Sequence, residues 1–518
     1  MTLLSLNRGG ILGLMLTLFL FGLPLRAEKG RVVLLPTPNV VRLQSDSLRF
    51  NCGDRLRIKA NEEALAAVRL WNSTLPATSD IRMDITRRKR ADIHFVKDTT
   101  IPHEGYSLSV TPRGITVSAA GHAGFVYAVQ TLHQLTSTDK GLALPCLEIS
   151  DAPRVGWRSL MLDSGRQYQR VETLKKYIDL ASMLKMNYFH WHLTEGLGWR
   201  VEIKRYPRLT SVGAFVTDGP EQQGFYTQQD IREIVRYAQE RAVTVVPEID
   251  MPGHAEAALM AYPELGCPGV HATVPKAGFT SALFCAGRDS TLAFLRHVLD
   301  EVCDLFPSPY IHLGGDEAPK AEWDRCCRCQ TRIDSLGLRD SHDLQRWFSN
   351  QMANYLARHG RKAIFWGDVV YQPGVRLADN SVIQWWNWRG HKDLALRRAR
   401  ELGHPVICGT NYYSYLNFPT SPWRGYAADR TFGLREAYTN NPSYLPEADS
   451  LVLGMSCALW TDYGLTENLL DSRLMPRILA LAEQMWHQGP LMPWPDFQER
   501  VETMRPWFEA QGYRYGSY

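Results

Sequence analysis

Two adjacent carboxylates, Asp316 and Glu317, follow an apolar run and two glycines at residues 310–315. Like charges this close repel each other, so one carboxyl is expected to hold its proton more tightly than usual. A protonated carboxyl beside an ionised one can act as a general acid. The same acids could instead mark a helix start, because negative side chains favour the first helical turn. The positions of the other reactive residues decide between these interpretations.

The elements that would position these acids are visible as apolar runs of strand length from residue 151 onward. Helical patterns separate most of them, at 171–185, 228–242, 291–306 and 343–360. The runs are SLMLD (159–163), YFHWHL (188–193), VTVVPEID (243–250), YIHLGGDE (310–317), KAIFWGD (362–368), VIQWW (382–386), PVICGT (405–410) and LGMSCALWT (453–461). Continuously apolar strands are typical of buried parallel sheets. Eight strand–helix repeats therefore predict an α/β chain with a (β/α)8 TIM barrel.

A doubly wound open sheet is the alternative architecture, and a phosphate-binding glycine loop would favour it. The glycines of HLGGDE do not fit the G-x-G-x-x-G pattern of such loops. Reactive side chains instead fall at or just after the C-terminal ends of the predicted strands: His192, Asp250, Asp316, Asp368, Trp386 and Trp460. Barrel enzymes build their active sites at that rim. This placement favours catalysis over a simple helix start.

The N-terminal part of the chain has a different texture. Strand-like runs at 31–36, 91–96, 106–110 and 114–120 precede a helical pattern at 121–136, which predicts a small α/β domain over residues 28–150. Residues 1–27 resemble a signal peptide, with Arg8, an apolar run at 9–25 and Ala27 at the cleavage position. We therefore expect an exported protein, periplasmic or extracellular, with the catalytic barrel over residues 151–518. An uncleaved membrane anchor is the alternative, and no later run is long enough to span a membrane.

The composition excludes some partners and favours others. The net charge is only +4, and no block of like charges is longer than TRRKR at 86–90, so we expect no nucleic-acid partner. The 15 tryptophans and 22 tyrosines offer flat faces that can hold sugar rings, although large cores also use them.

Ten cysteines in an exported chain make disulfides possible. We predict a disulfide between Cys267 and Cys285, which bracket a loop that contains glycine and proline. The run CCRC at 326–329 suggests zinc, but no second CxxC or HxxxH follows it, so we predict no metal.

Five motifs occur in one order: DAPRVGWRSLMLD (151–163), KMNYFHWHLT (185–194), VVPEIDMPGHAEA (245–257), HLGGDE (312–317) and ALWTDY (458–463). From about residue 28 to the C-terminus the chain resembles the family 20 glycoside hydrolases, the β-N-acetylhexosaminidases, whose most specific motif is H-x-G-G-D-E. The resemblance implies a small α/β domain followed by a catalytic (β/α)8 barrel. It also implies release of terminal β-linked GlcNAc or GalNAc from glycan substrates, without a cofactor.

Enzymes of this family use the substrate's own 2-acetamido group in place of a protein nucleophile. The resemblance implies that Asp316 orients this group and that Glu317 is the general acid and base. It implies that His254 and Glu195 form a pair that orients the general acid. The implied substrate-binding residues are Arg158 for sugar hydroxyls, Trp366, Trp386 and Trp460 for the acetamide pocket and ring, Tyr415 for the acetamide oxygen, and Asp462 for O4 and O6.

The chain departs from the family pattern at three places near the predicted sugar hydroxyls. HLTEGLGW stands where the family commonly has H-L-T/S-D-D-Q, Asn417 replaces an aspartate, and Asp462 replaces a longer glutamate. These departures leave the choice between GlcNAc and GalNAc open, and the sequence does not determine the oligomeric state.

Two other functions are compatible with parts of the pattern. His190 and His192, with His254 and Asp316, could form the metal site of an amidohydrolase-type barrel. A non-catalytic glycan-binding protein on the same fold is the second alternative. Such a protein is expected to lose an acid, whereas this chain keeps Asp316 and Glu317.

Overall fold

The computed structural model describes residues 32–75, 80–88, 90–136, 141–275, 280–387, 393–418, 432–439, 450–462 and 464–517. The predicted signal peptide, 1–27, lies outside these residues. The chain divides into a unit Met1–Val33, of which only the last two residues are described, and a compact unit Leu34–Tyr518. Among the described residues, no helix is long and apolar enough to cross a membrane.

A seven-stranded mixed sheet forms the N-terminal part of the compact unit. Its strands are β1 (Val40–Phe50), β2 (Arg55–Lys59), β3 (Arg82–Ile85), β4 (Ile93–Lys97), β5 (Tyr106–Thr111), β6 (Gly114–Ala119) and β7 (Leu142–Asp151). The spatial order is β1-β7-β5-β6-β4-β2-β3. Alternate residues of β5 are buried, as expected where one face of a sheet packs against helices. Residues 32–36, predicted as a strand, belong to none.

The remaining chain closes the predicted (β/α)8 barrel. Its strands are β8 (Trp157–Asp163), β9 (Tyr188–His192), β12 (Thr244–Glu248), β13 (Tyr310–His312), β14 (Lys362–Trp366), β15 (Ser381–Trp385), β16 (Val406–Cys408) and β17 (Val452–Leu459); a small hairpin of β10 (Thr194–Glu195) and β11 (Gly198–Trp199) follows β9. All eight are parallel and adjacent in chain order, with β17 pairing back to β8. Each overlaps one of the eight predicted apolar runs, and β13 and β16 are the two strands that cover no more than half of their run. The predicted fold class is confirmed.

Helices follow most of the strands. They are α1 (Leu65–Thr74), α2 (His122–Leu135), α3 (Val171–Met183), α4 (Arg208–Ser211), α5 (Gln228–Gln239), α6 (Glu256–Ala261), α7 (Asp289–Leu305), α8 (Ala321–Arg325), α9 (Cys327–Leu336), α10 (Ser341–Arg358), α11 (Leu394–Leu402), α12 (Asn411–Ser414), α13 (Leu434–Thr439), α14 (Leu470–Leu474), α15 (Arg477–Trp486) and α16 (Trp494–Ala510). The four helical patterns named from the sequence correspond to α3, α5, α7 and α10, each within two residues at its start.

Packed side chains fill the barrel interior. A buried cluster joins Trp157, Val246, Ile364, Val382 and Ile407, one from each of five strands. Such layers make a barrel interior a core rather than a pore.

The predicted disulfide between Cys267 and Cys285 is wrong for this structure, because both residues are free thiols. They lie instead in a group with two cysteines of the CCRC run, Cys326 and Cys329.

Candidate active site

The two glycines of HLGGDE carry the chain from β13 into the rim by a turn that only glycine fits. Gly314 has φ +63°, and a Cβ there would lie 1.6 Å from Oδ1 of Asp250. Gly315 has φ +100°, and its Cβ would lie 2.7 Å from Val369. Gly315 N–H donates to Asp250 Oδ1 at 3.1 Å, which fixes the turn. Glu317 follows with φ 48°, a left-handed conformation that costs a non-glycine residue about 1–2 kcal/mol.

This turn sends the two adjacent carboxylates to different environments. The Asp316 side chain is 13% exposed and that of Glu317 is 44% exposed. Asp368, just after β14, accepts the Glu317 N–H at 3.3 Å and the Trp386 indole N–H at 2.6 Å. The divergence therefore comes from the left-handed turn and not from strand alternation, because β13 already ends at His312.

His254 lies between these two acids and a third. Its Nε2 is 3.6 Å from both Asp316 Oδ2 and Glu317 Oε2, and its Nδ1 contacts Oε1 of Glu195. Arg166 Nη2 also contacts Glu195, at 2.6 Å. The structure therefore brings together all four residues predicted as catalytic, and it adds Arg166 to them.

The electrostatics follow from burial and from these ion pairs. Burial alone would raise the pKa of Glu195, but Arg166 and His254 outweigh it and lower the pKa to about 2. Burial likewise opposes a charge on His254, yet Glu195 and then Asp316 raise its pKa well above the usual value. Burial and the nearby Asp250 raise the pKa of Asp316, against the effect of His254. His254 is thus held as a cation that faces both acids.

A buried polar layer supports the site from below. Glu248, at the end of β12, is fully buried and contacts His190 Nε2 at 2.8 Å and His192 Nδ1 at 2.7 Å. It also accepts the Trp366 indole N–H at 2.8 Å. A buried carboxylate with this many partners fixes the side chains around it. Sequence reasoning missed this role, although Glu248 lies inside one of the quoted motifs.

Aromatic rings form the wall of the site. Trp460, just after β17, lies 5.7 Å from Trp366 and 6.0 Å from Tyr415 between ring centroids. Trp386 and Tyr415 are parallel, with centroids 6.3 Å apart. All four predicted aromatic residues therefore meet at one place, although Trp366 is fully buried.

Polar groups border this wall on the side of Asp462. Asn417 donates to Asp462 Oδ1 at 3.2 Å, so two of the residues that depart from the family pattern are partners. Burial raises the pKa of Asp462 to about 6, although Arg166 opposes the shift. The guanidinium of Arg166 lies 5.1 Å from the Trp460 ring centroid.

Arg158 is not in the site, which corrects the prediction. It is the second residue of β8 and is therefore about 16 Å from the C-terminal rim at ~3.3 Å per residue. Its buried guanidinium forms a two-bond ion pair with Glu104, at 2.7 and 3.1 Å. It also donates to the backbone oxygens of Val155 and Lys185. Arg158 thus joins the N-terminal domain to the bottom of the barrel.

Arg166 takes the position expected of a sugar-binding arginine. It follows β8 by three residues and is held by Asp163, whose Oδ2 is 3.0 Å from Nη1. The quoted motif (151–163) gave no signal for Arg166, because it contains Arg158 and ends at Asp163. Only the arginine after the strand can reach the rim.

Family models divide the chain in the same way as the fold. The model "Glycosyl hydrolase family 20, catalytic domain" matches residues 156–489, and "Glycosyl hydrolase family 20, domain 2" matches residues 32–152. The chain belongs to glycoside hydrolase family 20. Its barrel and its mixed sheet are the two domains of that family.

Relatives support the family 20 membership. The chain is 37% identical to a β-hexosaminidase of Porphyromonas gingivalis over 94% of its own length, but it spans only 64% of that relative. A crystal structure of a Bacteroides fragilis β-N-acetylhexosaminidase is 57% identical, with a TM-score of 0.89 over 93% of this chain and 97% of that one. A mutant Streptomyces plicatus β-hexosaminidase in complex with product (GlcNAc) is 27% identical, with a TM-score of 0.80 over 94% and 96% of the chains.

The residues of the alternative amidohydrolase site do not form one group in this family 20 fold. His190 and His192 both contact Glu248, whereas His254 and Asp316 group with Asp250. His190 and His192 therefore point to the same side of β9, where they bind a buried carboxylate.

Variants of Arg158 and Arg166 test which of the two arginines binds the substrate. We expect Arg166→Lys to lower kcat/KM about 10–100-fold, because lysine lacks the fork that spans Glu195 and Asp163. We expect Arg158→Lys to leave kcat/KM near the wild-type value and to lower the free energy of unfolding by about 1–3 kcal/mol. Kinetics and urea denaturation of both variants check this. A raised KM for Arg158→Lys with an unchanged free energy of unfolding would indicate that Arg158 binds the substrate after all.

Proposed function

We propose that this family 20 protein is an exo-acting β-N-acetylhexosaminidase that removes terminal β-linked GlcNAc or GalNAc from glycans by substrate-assisted, retaining catalysis. The names of its relatives and the assembled residues at the rim support the proposal. The product in the Streptomyces plicatus complex is GlcNAc. In this proposal glycans with a terminal N-acetylhexosamine are the partners of the chain.

One observation carries the proposal. Asp316 Oδ1 is buried and has no hydrogen-bond partner within the part of the chain that the structure describes. Buried carboxylate oxygens are rarely left unpaired, because desolvation without a partner is costly. A substrate acetamide N–H would satisfy this oxygen, and the aromatic wall of Trp460, Trp366 and Tyr415 would enclose the acetamide methyl.

The steps follow from these positions. The acetamide oxygen attacks the anomeric carbon while Glu317 gives its proton to the glycosidic oxygen, and the leaving glycan departs. A positive oxazolinium ring forms, and the Asp316 carboxylate stabilises its charge. Water then attacks the same carbon, Glu317 takes a proton from that water, and the acetamide is restored. Two inversions leave the product in the β-configuration.

The other rim residues position groups and perform no bond change. Cationic His254, fixed by Glu195, faces both Asp316 and Glu317 at 3.6 Å and so can orient them. A sugar stacked on Trp460 would present its hydroxyls to Arg166, which borders that ring, and to Asp462, which neighbours Arg166. Recognition of the hydroxyls far from the scissile bond is the basis for exo action, because a sugar already substituted there would not fit.

We also infer export of the mature chain to the periplasm or beyond. The pattern of residues 1–27 supports this inference. If polar residues replace the apolar run 9–25, we expect the protein to remain in the cytoplasm. Cell fractionation measures this.

The proposed function is tested by turnover of an aryl β-N-acetylglucosaminide and of a β-linked GlcNAc trimer. We expect the trimer to lose single GlcNAc units from its non-reducing end. Binding of the trimer without turnover would favour the glycan-binding alternative. Release of acetate from the trimer without release of GlcNAc would favour the amidohydrolase alternative, because that enzyme class hydrolyses an amide bond.

A further inference from the structure

Four buried cysteines from three separate segments meet beside the barrel rim. We call them the four-cysteine cluster: Cys267, Cys285, Cys326 and Cys329. All are at most 6% exposed, and their sulfurs lie within 4.8 Å of one another. The sequence suggested that CCRC lacked a second pair of ligands. That pair is present but precedes the run, 41 residues or more upstream.

The sulfur separations match those around a tetrahedral metal. Cys267 and Cys329 are 3.9 Å apart, Cys285 and Cys326 are 3.9 Å apart, and Cys285 and Cys329 are 3.7 Å apart. Four sulfurs placed ~2.3 Å from a central zinc ion at tetrahedral angles would be about 3.8 Å from each other. A disulfide bond needs about 2.05 Å, and Cys285 approaches two other sulfurs equally well.

The backbone holds these segments in place independently of the sulfurs. Gly266 and Phe284 form an isolated antiparallel bridge, and Cys285 N–H donates to Leu265 O at 2.9 Å. The Trp323 indole N–H donates to Phe284 O at 3.0 Å and so ties α8 to the same loop. Cys326 is the N-cap residue of α9. The segments that carry the cluster are therefore also joined by contacts other than their sulfurs.

We propose that the four-cysteine cluster binds one structural zinc ion through four thiolates. Zinc accepts an all-thiolate tetrahedral set and has no redox chemistry that would damage an exported chain. On binding, four thiols release their protons to water and four sulfur–zinc bonds form. The site leaves no open position, so the ion serves the fold and not the hydrolysis.

The surroundings suit the negative charge of such a site. Cys326 is the N-cap of α9 and Cys329 lies in its first turn. Free backbone N–H groups and the helix dipole favour anions at this end of a helix. The Gly287 N–H donates to the sulfur of Cys285. Backbone N–H groups directed at sulfur are the outer-shell contacts that stabilise bound thiolate.

The ion would support the active site through the loop that it clamps. Phe284 N–H donates to Pro252 O at 2.9 Å, and His254 N–H donates to Thr280 Oγ1 at 2.9 Å. The turn that carries His254 is therefore anchored on the loop that ends at Cys285. We expect loss of zinc to loosen His254 while leaving its chemical neighbours unchanged.

The test compares Cys329→Ser with Cys327→Ser in the full chain. Both residues lie in the first turn of α9, but Cys327 is exposed and lies outside the cluster. By elemental analysis we expect about one zinc per chain in the wild type and in Cys327→Ser, and below about one tenth in Cys329→Ser. In Cys329→Ser we also expect a lower Tm and a lower kcat.

Two measurements on the wild type hold even where Cys329→Ser fails to fold. Alkylation in denaturant with chelator and without reductant, followed by peptide mass mapping, should find all four cysteines of the cluster as thiols. Refolding with Co²⁺ should give thiolate-to-cobalt charge transfer and the strong visible bands of a tetrahedral site. Disulfide-linked peptides among these four cysteines, in protein without zinc, would overturn the proposal. Equal zinc in Cys329→Ser and the wild type, or iron in place of zinc, would also overturn it.

Discussion

Glu317→Gln should nearly abolish hydrolysis of glycosides with poor leaving groups and should spare activated aryl N-acetylglucosaminides. The amide cannot donate the proton that an alkoxide leaving group needs, whereas a dinitrophenolate departs with little help. General acid catalysis contributes about 10²–10⁴-fold, so kcat/KM for the trimer should fall by that factor. For the dinitrophenyl glycoside we expect a loss below about tenfold.

Asp462→Asn is the matched control, because Asp462 lies on the wall away from Glu317 and near Arg166. It should weaken all substrates to a similar degree, whatever their leaving group. The measurement is a plot of log kcat/KM against leaving-group pKa for both variants and the wild type. A steeper slope only in Glu317→Gln supports the assignment. Parallel lines for all three proteins would remove Glu317 from the role of general acid.

The second large effect concerns the substrate's own acetamide. An aryl β-glucoside has a plain 2-hydroxyl and offers no oxygen placed to attack the anomeric carbon. Loss of one buried hydrogen bond costs about 1–3 kcal/mol, or roughly 10–100-fold in rate. We expect the glucoside to react slower than the N-acetyl sugar by several further orders of magnitude. The fresh product of the N-acetyl substrate should be the β-anomer in proton NMR.

Asp316→Asn tests the protein's part of the same step. The variant keeps the shape of the side chain but loses the charge that would stabilise the oxazolinium ring, so kcat should fall by about 10²–10³. Asp250→Asn is the control, because Asp250 neighbours Asp316 but lies deeper, fully buried below the turn. It should lower stability more than it lowers kcat. An α-anomer appearing first, or a glucoside cleaved within tenfold of the N-acetyl sugar, would contradict the substrate-assisted mechanism.

Much of the fold could be predicted from the sequence, because strands of a parallel barrel are buried on both faces. Continuous apolar runs such as 188–193 and 382–386 carry this information locally, and short helical patterns between them complete it. The run at 31–36 was a wrong prediction for a physical reason. Leu34 and Leu35 are buried, but the N–H and C=O of Leu35 pair with the Gln134 side chain and not with a neighbouring strand. An apolar run shows that a segment is buried and not which partner covers it.

The site was partly predictable for a similar reason. Asp316, Glu317 and the aromatic residues follow strand ends, and a closed barrel brings all strand ends to one rim. The choice between Arg158 and Arg166 was missed, because it depends on which end of β8 each residue occupies and on Glu104 from another domain. The quoted family motif contains Arg158 and ends before Arg166, so it directed the prediction to the wrong arginine.

The sequence by itself determined the barrel, the family and the adjacent acids, because these rest on local pattern and on short motifs. Tertiary structure alone decided the left-handed turn that separates Asp316 from Glu317, the contact of Arg166 with Glu195, and the four-cysteine cluster. Cys267 and Cys329 are 62 residues apart, yet their sulfurs are 3.9 Å apart. Contacts of this kind depend on how separate segments pack, and no spacing along the chain encodes them.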